Sequence, residues 1–258
     1  MINIIMKLIP ARLICVSAIC VAICLLVCFS GCCQPHKQPS AVRALVLTGG
    51  HDFDQAPFAE MFNALDNIEP TFATLDPEGR FFDDINGWSY DVIVFYHFNM
   101  PISAQSRKNL TQLTENGVGI VVLHHALAGF PDWPAWRKVA GAKYFLADTQ
   151  EDGVLWKRCT YQHDVALPVH VHDARHPVTA GVADFEILDE TYKGYRLENG
   201  NHLLLTANHP LSQKEIGWTR TYRNARICSL QSGHGKDAYE NPAYRSLLRQ
   251  AICWCAKR

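Results

Sequence analysis

Beyond position 40 the chain falls into short apolar runs separated by stretches whose apolar positions recur at helical spacing. Ala44–Leu47, Thr71–Leu75, Val92–His97 and Ile120–Leu123 read as strands, and Phe58–Leu65 and Ala104–Glu115 as amphipathic helices. Strand and helix in alternation predict a mostly parallel sheet with helices on both faces. Ser103 supplies an N-cap for the second helix and Gly117 a stop. After Gly153 apolar and polar residues alternate instead, which predicts antiparallel additions to the sheet. Among them, Gly217–Tyr222 and Ala225–Leu230 fold about a polar turn at Arg223-Asn224. A last helix, Pro242–Ala256, carries Tyr244, Leu247, Leu248, Ala251 and Ile252 on one face and is expected to pack on the sheet. Nothing within residues 41–258 marks a second domain.

Four of the strand-like runs lead into a histidine: His51 after Leu45-Val-Leu-Thr-Gly-Gly, His97 after Val92-Ile-Val-Phe-Tyr, His124 after Gly119-Ile-Val-Val-Leu, and His234 after Ile227-Cys-Ser-Leu-Gln-Ser-Gly. Open α/β sheets bind ligands just beyond the carboxyl ends of their strands, so separate strand ends bring such side chains together. An imidazole at the turn after a buried strand suits general acid–base work, because its ordinary pKa of ~6.5 lets it exchange protons at neutral pH. It suits a divalent metal such as zinc equally well, and His51, His124 and His234 are the ligand set expected for one. Gly49 and Gly50 are small enough to let backbone N–H groups approach a ligand. His125 is expected to face the helix side, and His97, with Asn99 and Pro101 close behind, to anchor a loop. His170 and His172 share one strand face and are expected to be structural, and His176-Pro177 to be a turn. Trp133, Trp136 and Tyr144 read as core aromatics, with stacking on a sugar face as the alternative.

The N-terminal segment is set apart from the fold. Lys7 and Arg12 precede an apolar run from Leu13 to Phe29, closed by Ser30-Gly31-Cys32. Residues 1–31 therefore read as a secretory signal. The run lies at the short end of the roughly 20 residues needed to span a bilayer, and a retained inner-membrane signal anchor is the alternative. Residues 32–40, rich in Pro and polar side chains, read as a tether. The remaining length is that of one large domain or two small ones, and 48% hydrophobic residues provide for a sizeable core. A net charge of -1 gives no electrostatic case for a nucleic-acid partner. Of ten cysteines, only Cys159, Cys228, Cys253 and Cys255 fall in the globular part, so there is no disulfide framework. An exported chain could still join Cys159 to Cys228.

Leu45-Val-Leu-Thr-Gly-Gly-His-Asp, Val121-Val-Leu-His-His-Ala, His176-Pro-Val-Thr-Ala-Gly, Asp189-Glu-Thr-Tyr192 and Ser232-Gly-His-Gly, in this order, resemble the ThuA-like (trehalose utilisation) family. The resemblance spans nearly everything after the tether. It implies an α/β three-layer sandwich of flavodoxin-like type, similar to class I glutamine amidotransferases, with His124 where those enzymes carry a nucleophilic Cys. Glutamine hydrolysis needs a thiolate, so a glutaminase is not expected. The resemblance implies a small-molecule carbohydrate as partner, a trehalose-type or keto-glycoside substrate, and leaves a non-catalytic sugar-binding or structural lipoprotein as the alternative. His124 and His234 are expected as acid and base with Glu190 orienting one of them, while Gly49, Gly50, His51, His125 and Tyr192 contact substrate. The Ser-Gly-Cys exit resembles a bacterial lipobox, implying a lipid anchor on Cys32 at the outer membrane or periplasmic face.

Overall fold

The computed structural model describes residues 40–258. The signal at 1–31, Cys32 and all of the tether except Ser40 lie outside the described residues. In chain order the elements are β1 (Val42–Gly49), α1 (Gln55–Asn63), β2 (Ile68–Thr74), β3 (Val92–His97), α2 (Ala104–Glu115) and β4 (Gly119–Leu123), followed by a 3-10 turn over His124–Ala128 and α3 (Trp136–Ala140). Then come β5 (Ala142–Lys143), β6 (Thr149–Glu151), β7 (Val154–Trp156), β8 (Thr160–Val171), β9 (Phe185–Lys193), β10 (Arg196–Leu197), β11 (His202–Ala207), β12 (Glu215–Tyr222), β13 (Ala225–Leu230), α4 (Lys236–Glu240) and α5 (Pro242–Cys255). Among these elements no helix is long and apolar enough to cross a membrane.

One sheet of nine strands, ordered β2-β1-β3-β4-β13-β12-β11-β8-β9, organises the domain. Its first five strands run parallel and the last four join as antiparallel neighbours. The parallel half has the flavodoxin-like order, which reverses between β1 and β3 and opens a crevice at the carboxyl edge there. β3 and β4 are buried at every position, as expected of central parallel strands covered on both faces.

Alternate residues of these strands feed two cores. Val46, Val94, Val121 and Cys228 point to one face, under α1, α4 and α5, where Phe58, Tyr239 and Leu248 meet them. Leu47, Phe95, Val122 and Ile227 point to the other, under α2 and α3, where Leu110, Trp136 and Val139 lie. The result is a three-layer α/β sandwich.

Several expectations need adjustment. The first helix begins three residues before Phe58, its opening turn closed by the Phe58 amide on the Asp54 carbonyl. Pro57 fits there because the first-turn amides have no helical acceptor, and apolar spacing is blind to that exposed turn. β2 also starts earlier, at Ile68, with Pro70 tolerated because the strand lies at the sheet edge. Cys159 and Cys228 are free thiols in opposite cores, so no disulfide joins them. The hydroxyl of Ser103 caps α2 by accepting the Ser106 amide at 2.9 Å, as its position predicted.

Candidate active site

At the end of β4 the chain turns sharply, and His124 takes φ 49°, a left-handed value uncommon outside glycine. The turn aims its imidazole back across the carboxyl edge to the segment after β13. There Nδ1 lies 2.7 Å from the Gln231 carbonyl. A carbonyl only accepts, so Nδ1 carries a proton and Nε2 is the nitrogen that faces the cluster. Three groups converge on Nε2: Glu190 Oε2 at 2.8 Å, Tyr192 Oη at 2.8 Å and His234 Nδ1 at 3.1 Å. His234 Nδ1 is also 3.1 Å from Glu190 Oε2.

Glu190 and Tyr192 come from the far side of the sheet. β9 is four places beyond β13 in strand order and reaches the cluster because β8 and β9 run past the short β11 pairing as a two-stranded ribbon. A register shift in β8 between Gln162 and Val165, with Asp164 at φ 56°, bends that ribbon over the edge. Asp189 fastens it down: its buried carboxylate accepts the amides of Gly233 at 2.7 Å, His234 at 2.9 Å and Glu190 at 2.9 Å. Tyr96 holds the same segment from beneath, donating to the Gly233 and His234 carbonyls at 3.0 Å and meeting Tyr239 Oη at 2.7 Å. Gly233, at φ 116°, is pressed against Tyr244, whose hydroxyl would sit 2.1 Å from any Cβ there.

Burial pushes the Glu190 pKa up, but hydrogen bonds from His124 and His234 outweigh it and hold the carboxyl below its usual range. The same carboxylate raises His234 above an ordinary imidazole. Burial raises Tyr192, which stays a neutral hydroxyl donor. Burial also raises Asp189, against the pull of its three amides. The cluster therefore holds an ionised Glu190 and a proton favoured on His234, with the His124 ring fully buried beside them.

A cavity of about 270 Å³ opens over the cluster, with His51, His125, Glu190 and Tyr192 in its walls. His51 stacks on His125 with ring centroids 4.7 Å apart, and its Nδ1 contacts the Asp52 carbonyl. Contrary to the expected helix-side orientation, His125 lines the cavity, and neither of its ring nitrogens has a protein partner. Burial keeps it neutral, well below the ordinary imidazole range. Gly49 and Gly50 lie outside the lining and serve close packing. A Cβ on Gly50, at φ 74°, would be 1.9 Å from the Phe98 carbonyl oxygen.

His97 is a correction. It anchors no loop but is wholly buried against Phe95, Phe130 and Trp136, because the chain continues as strand through this residue. Outside the cluster, His170 pairs with Asp184 at 3.0 Å, and the His176 ring accepts the Val178 amide within its turn. Sequence reasoning missed His163, whose Nδ1 is 3.6 Å from Glu190 Oε1, and gave Asp189 no role. Arg158 and Tyr161 of the cavity wall were also missed. All four sit on or beside the ribbon, and the Tyr161-Gln-His-Asp164 run was the available signal, a polar stretch inside a long strand.

Two imidazoles, a carboxylate and a tyrosine gather at the carboxyl edge of a flavodoxin-like three-layer α/β sandwich, with His124 at the turn after β4. The chain belongs to the ThuA family, described as trehalose utilisation, whose model matches residues 43–255. Among solved structures it is similar to a ThuA-like protein from Parabacteroides merdae (18% identity, TM-score 0.69, covering 84% of this chain and 90% of that one). It is likewise similar to a ThuA-like protein from Bacteroides uniformis (22% identity, TM-score 0.61, 86% and 94%). The fold extends to PurLQS from Thermotoga maritima (10% identity, TM-score 0.54, 83% and 99%). A comparison with curated proteins returns no match.

Proposed function

We propose that the protein is an enzyme of carbohydrate metabolism that moves protons on a sugar bearing a carbonyl, a keto-glycoside of trehalose type. The observation that carries this is the convergence of Glu190, Tyr192 and His234 on one nitrogen of the buried His124, directly behind a cavity that Glu190 and Tyr192 line. With Nδ1–H held by Gln231, His124 Nε2 accepts a proton from the carbon next to the carbonyl. His234, kept protonated by Glu190, donates to the oxygen that gains charge. Tyr192 fixes the plane of the His124 ring by stacking on it, and His51 and His125 offer ring nitrogens to sugar hydroxyls. Glutamine hydrolysis is not supported, because the elbow bears an imidazole and none of the four described cysteines lines the cavity.

A second reading rests on one further observation. His124 Nε2, Glu190 Oε2 and His234 Nδ1 are 2.8 to 3.1 Å apart pairwise, a spacing that suits two histidines and a carboxylate on one face of a divalent ion. His125 with His124 and His234, and His163 with Glu190 and His234, also bring possible ligand atoms within 4.8 Å of one another. Zinc held there would act as a Lewis acid on the carbonyl oxygen. His51, engaged with His125 and its own loop, falls outside this set. Elemental analysis of the purified full chain separates the two readings: less than about 0.1 equivalent of metal, with activity unchanged by chelator, supports acid–base chemistry alone, and one equivalent supports the ion.

For location we propose a lipid anchor on Cys32, supported by the apolar leader and its Ser-Gly-Cys exit. Acyl labelling should mark the wild-type chain and spare Cys32→Ser; unlabelled wild type recovered from the periplasm overturns the anchor.

A further inference from the structure

The cavity that Glu190 and Tyr192 line holds one cation that the protein leaves unmatched. Arg158, two residues before β8, stands in its wall, and the guanidinium makes no hydrogen bond or ion pair among the described residues. The backbone beneath it is fixed: the Arg158 amide donates to Asp148 Oδ1 at 2.9 Å, and the Cys159 amide to the Phe145 carbonyl at 2.9 Å. Asp148 has nothing left for the guanidinium, because Lys157 takes its other oxygen at 2.7 Å. Neighbouring cations are matched, Arg137 and Lys143 by Glu151 and Arg196 by Asp152 at 2.9 Å. An exposed guanidinium by itself is ordinarily solvated, and what sets this one apart is the cavity it shares with His125. That ring is 3% exposed and neither of its nitrogens has a protein partner. A buried polar group left without a partner costs about 1 to 3 kcal/mol, a cost that a ligand bonding to it removes.

The charges in the wall set the sign and the size of what fits. Glu190 is the only acidic residue in the lining among the described residues, and its carboxylate is engaged by His124 at 2.8 Å and His234 at 3.1 Å. One positive charge therefore remains to be met by a ligand. A guanidinium presents its N–H groups as a planar fork that matches a carboxylate with two parallel hydrogen bonds. A dianion such as a phosphate monoester would bring a second negative charge into the same small cavity as the ionised Glu190, so a single carboxylate is the better match.

We propose that Arg158 anchors a carboxylate of the ligand, so that the ring taken into this cavity is that of an acidic sugar of the uronate kind. The inference rests on the carbohydrate reading above and adds to it a charged group and the residue that selects for it. His125 then bonds to a hydroxyl of the same ring, and the Arg158 fork sets which end of the ring points to the mouth.

The test is calorimetric titration of the full chain with three probes: methyl α-glucopyranoside, its uronate methyl α-glucopyranosiduronate, and cyclohexanecarboxylate, which carries the charge on a ring without hydroxyls. The uronate should bind at least about tenfold more tightly than the neutral glycoside, a gain of ~1.4 kcal/mol, and more tightly than cyclohexanecarboxylate. Arg158→Gln, at an exposed position, should bring the uronate and the neutral glycoside to equal affinity. Equal affinity of these two in the wild-type chain, a comparison that needs no variant, overturns the carboxylate anchor alone, as does an unchanged preference in Arg158→Gln. Cyclohexanecarboxylate binding as tightly as the uronate, with the same loss in Arg158→Gln, upholds the anchor and overturns the sugar. Failure of all three probes to bind at millimolar concentration overturns both.

Discussion

At the residue scale, two buried histidines show what position does to one side chain. His124 has partners on both ring nitrogens and His97 on neither. Burial alone lowers the His97 pKa to about 3, so the ring remains neutral in the folded chain while an unfolded chain protonates near pH ~6.5. Because the folded value is depressed, the stabilising difference is present above the unfolded pKa and is lost as pH falls towards the folded one. His97 should therefore cost about 1.4 kcal/mol of stability per pH unit on the way from pH ~6.5 down to 4.5. Urea unfolding of the wild type and His97→Leu should show the gap between them shifting in favour of the variant as pH drops. A gap independent of pH would mean that His97 titrates alike in both states. The sequence disclosed that His97 ends a strand, but not that the imidazole points into the Phe130 and Trp136 core rather than over the edge, since that direction depends on which face of β3 the residue occupies.

At the element scale, the site depends on a ribbon that strand-end reasoning finds only in part. His51, His124 and His234 follow β1, β4 and β13, whose carboxyl ends share one edge, and these were legible from apolar runs closing on a histidine. Glu190 and Tyr192 were legible as a motif, but their route was not, because β9 is remote in strand order and reaches His124 only through the bend at Asp164. The fastening by Asp189 was equally hidden, since its partners are backbone amides with no sequence signature. Asp189→Ala should strand the buried amides of Gly233 and His234 and cost about 2 to 3 kcal/mol of stability. It should also slow turnover at saturating sugar more than it raises KM, because His234 loses its position while His51 and His125 keep theirs. Chemical unfolding with steady-state kinetics checks both effects, and wild-type stability would show that Asp189 is not a fastening.

At the scale of the whole molecule, the two-core sheet was readable because its signal is periodic. β3 and α2 match the apolar spacing residue for residue, and the change to alternation after Gly153 marks where the antiparallel half begins. The elbow of this fold carries a buried histidine whose Nε2 meets Glu190 and Tyr192 of the cavity wall, with His234 beside it. If that is the reaction centre, replacing His124 removes the base while the sheet still positions everything else. The decisive measurement is turnover of a panel of native and 3-keto disaccharides by the full chain and by His124→Ala, with sugar affinity determined in parallel. At least one keto-disaccharide should be consumed by the wild type, and His124→Ala should be slower by about a hundredfold or more while binding the sugar within a few fold of normal. Full activity in the folded variant, or no turnover of any sugar by the wild type, would contradict the assignment of His124 as the catalytic base.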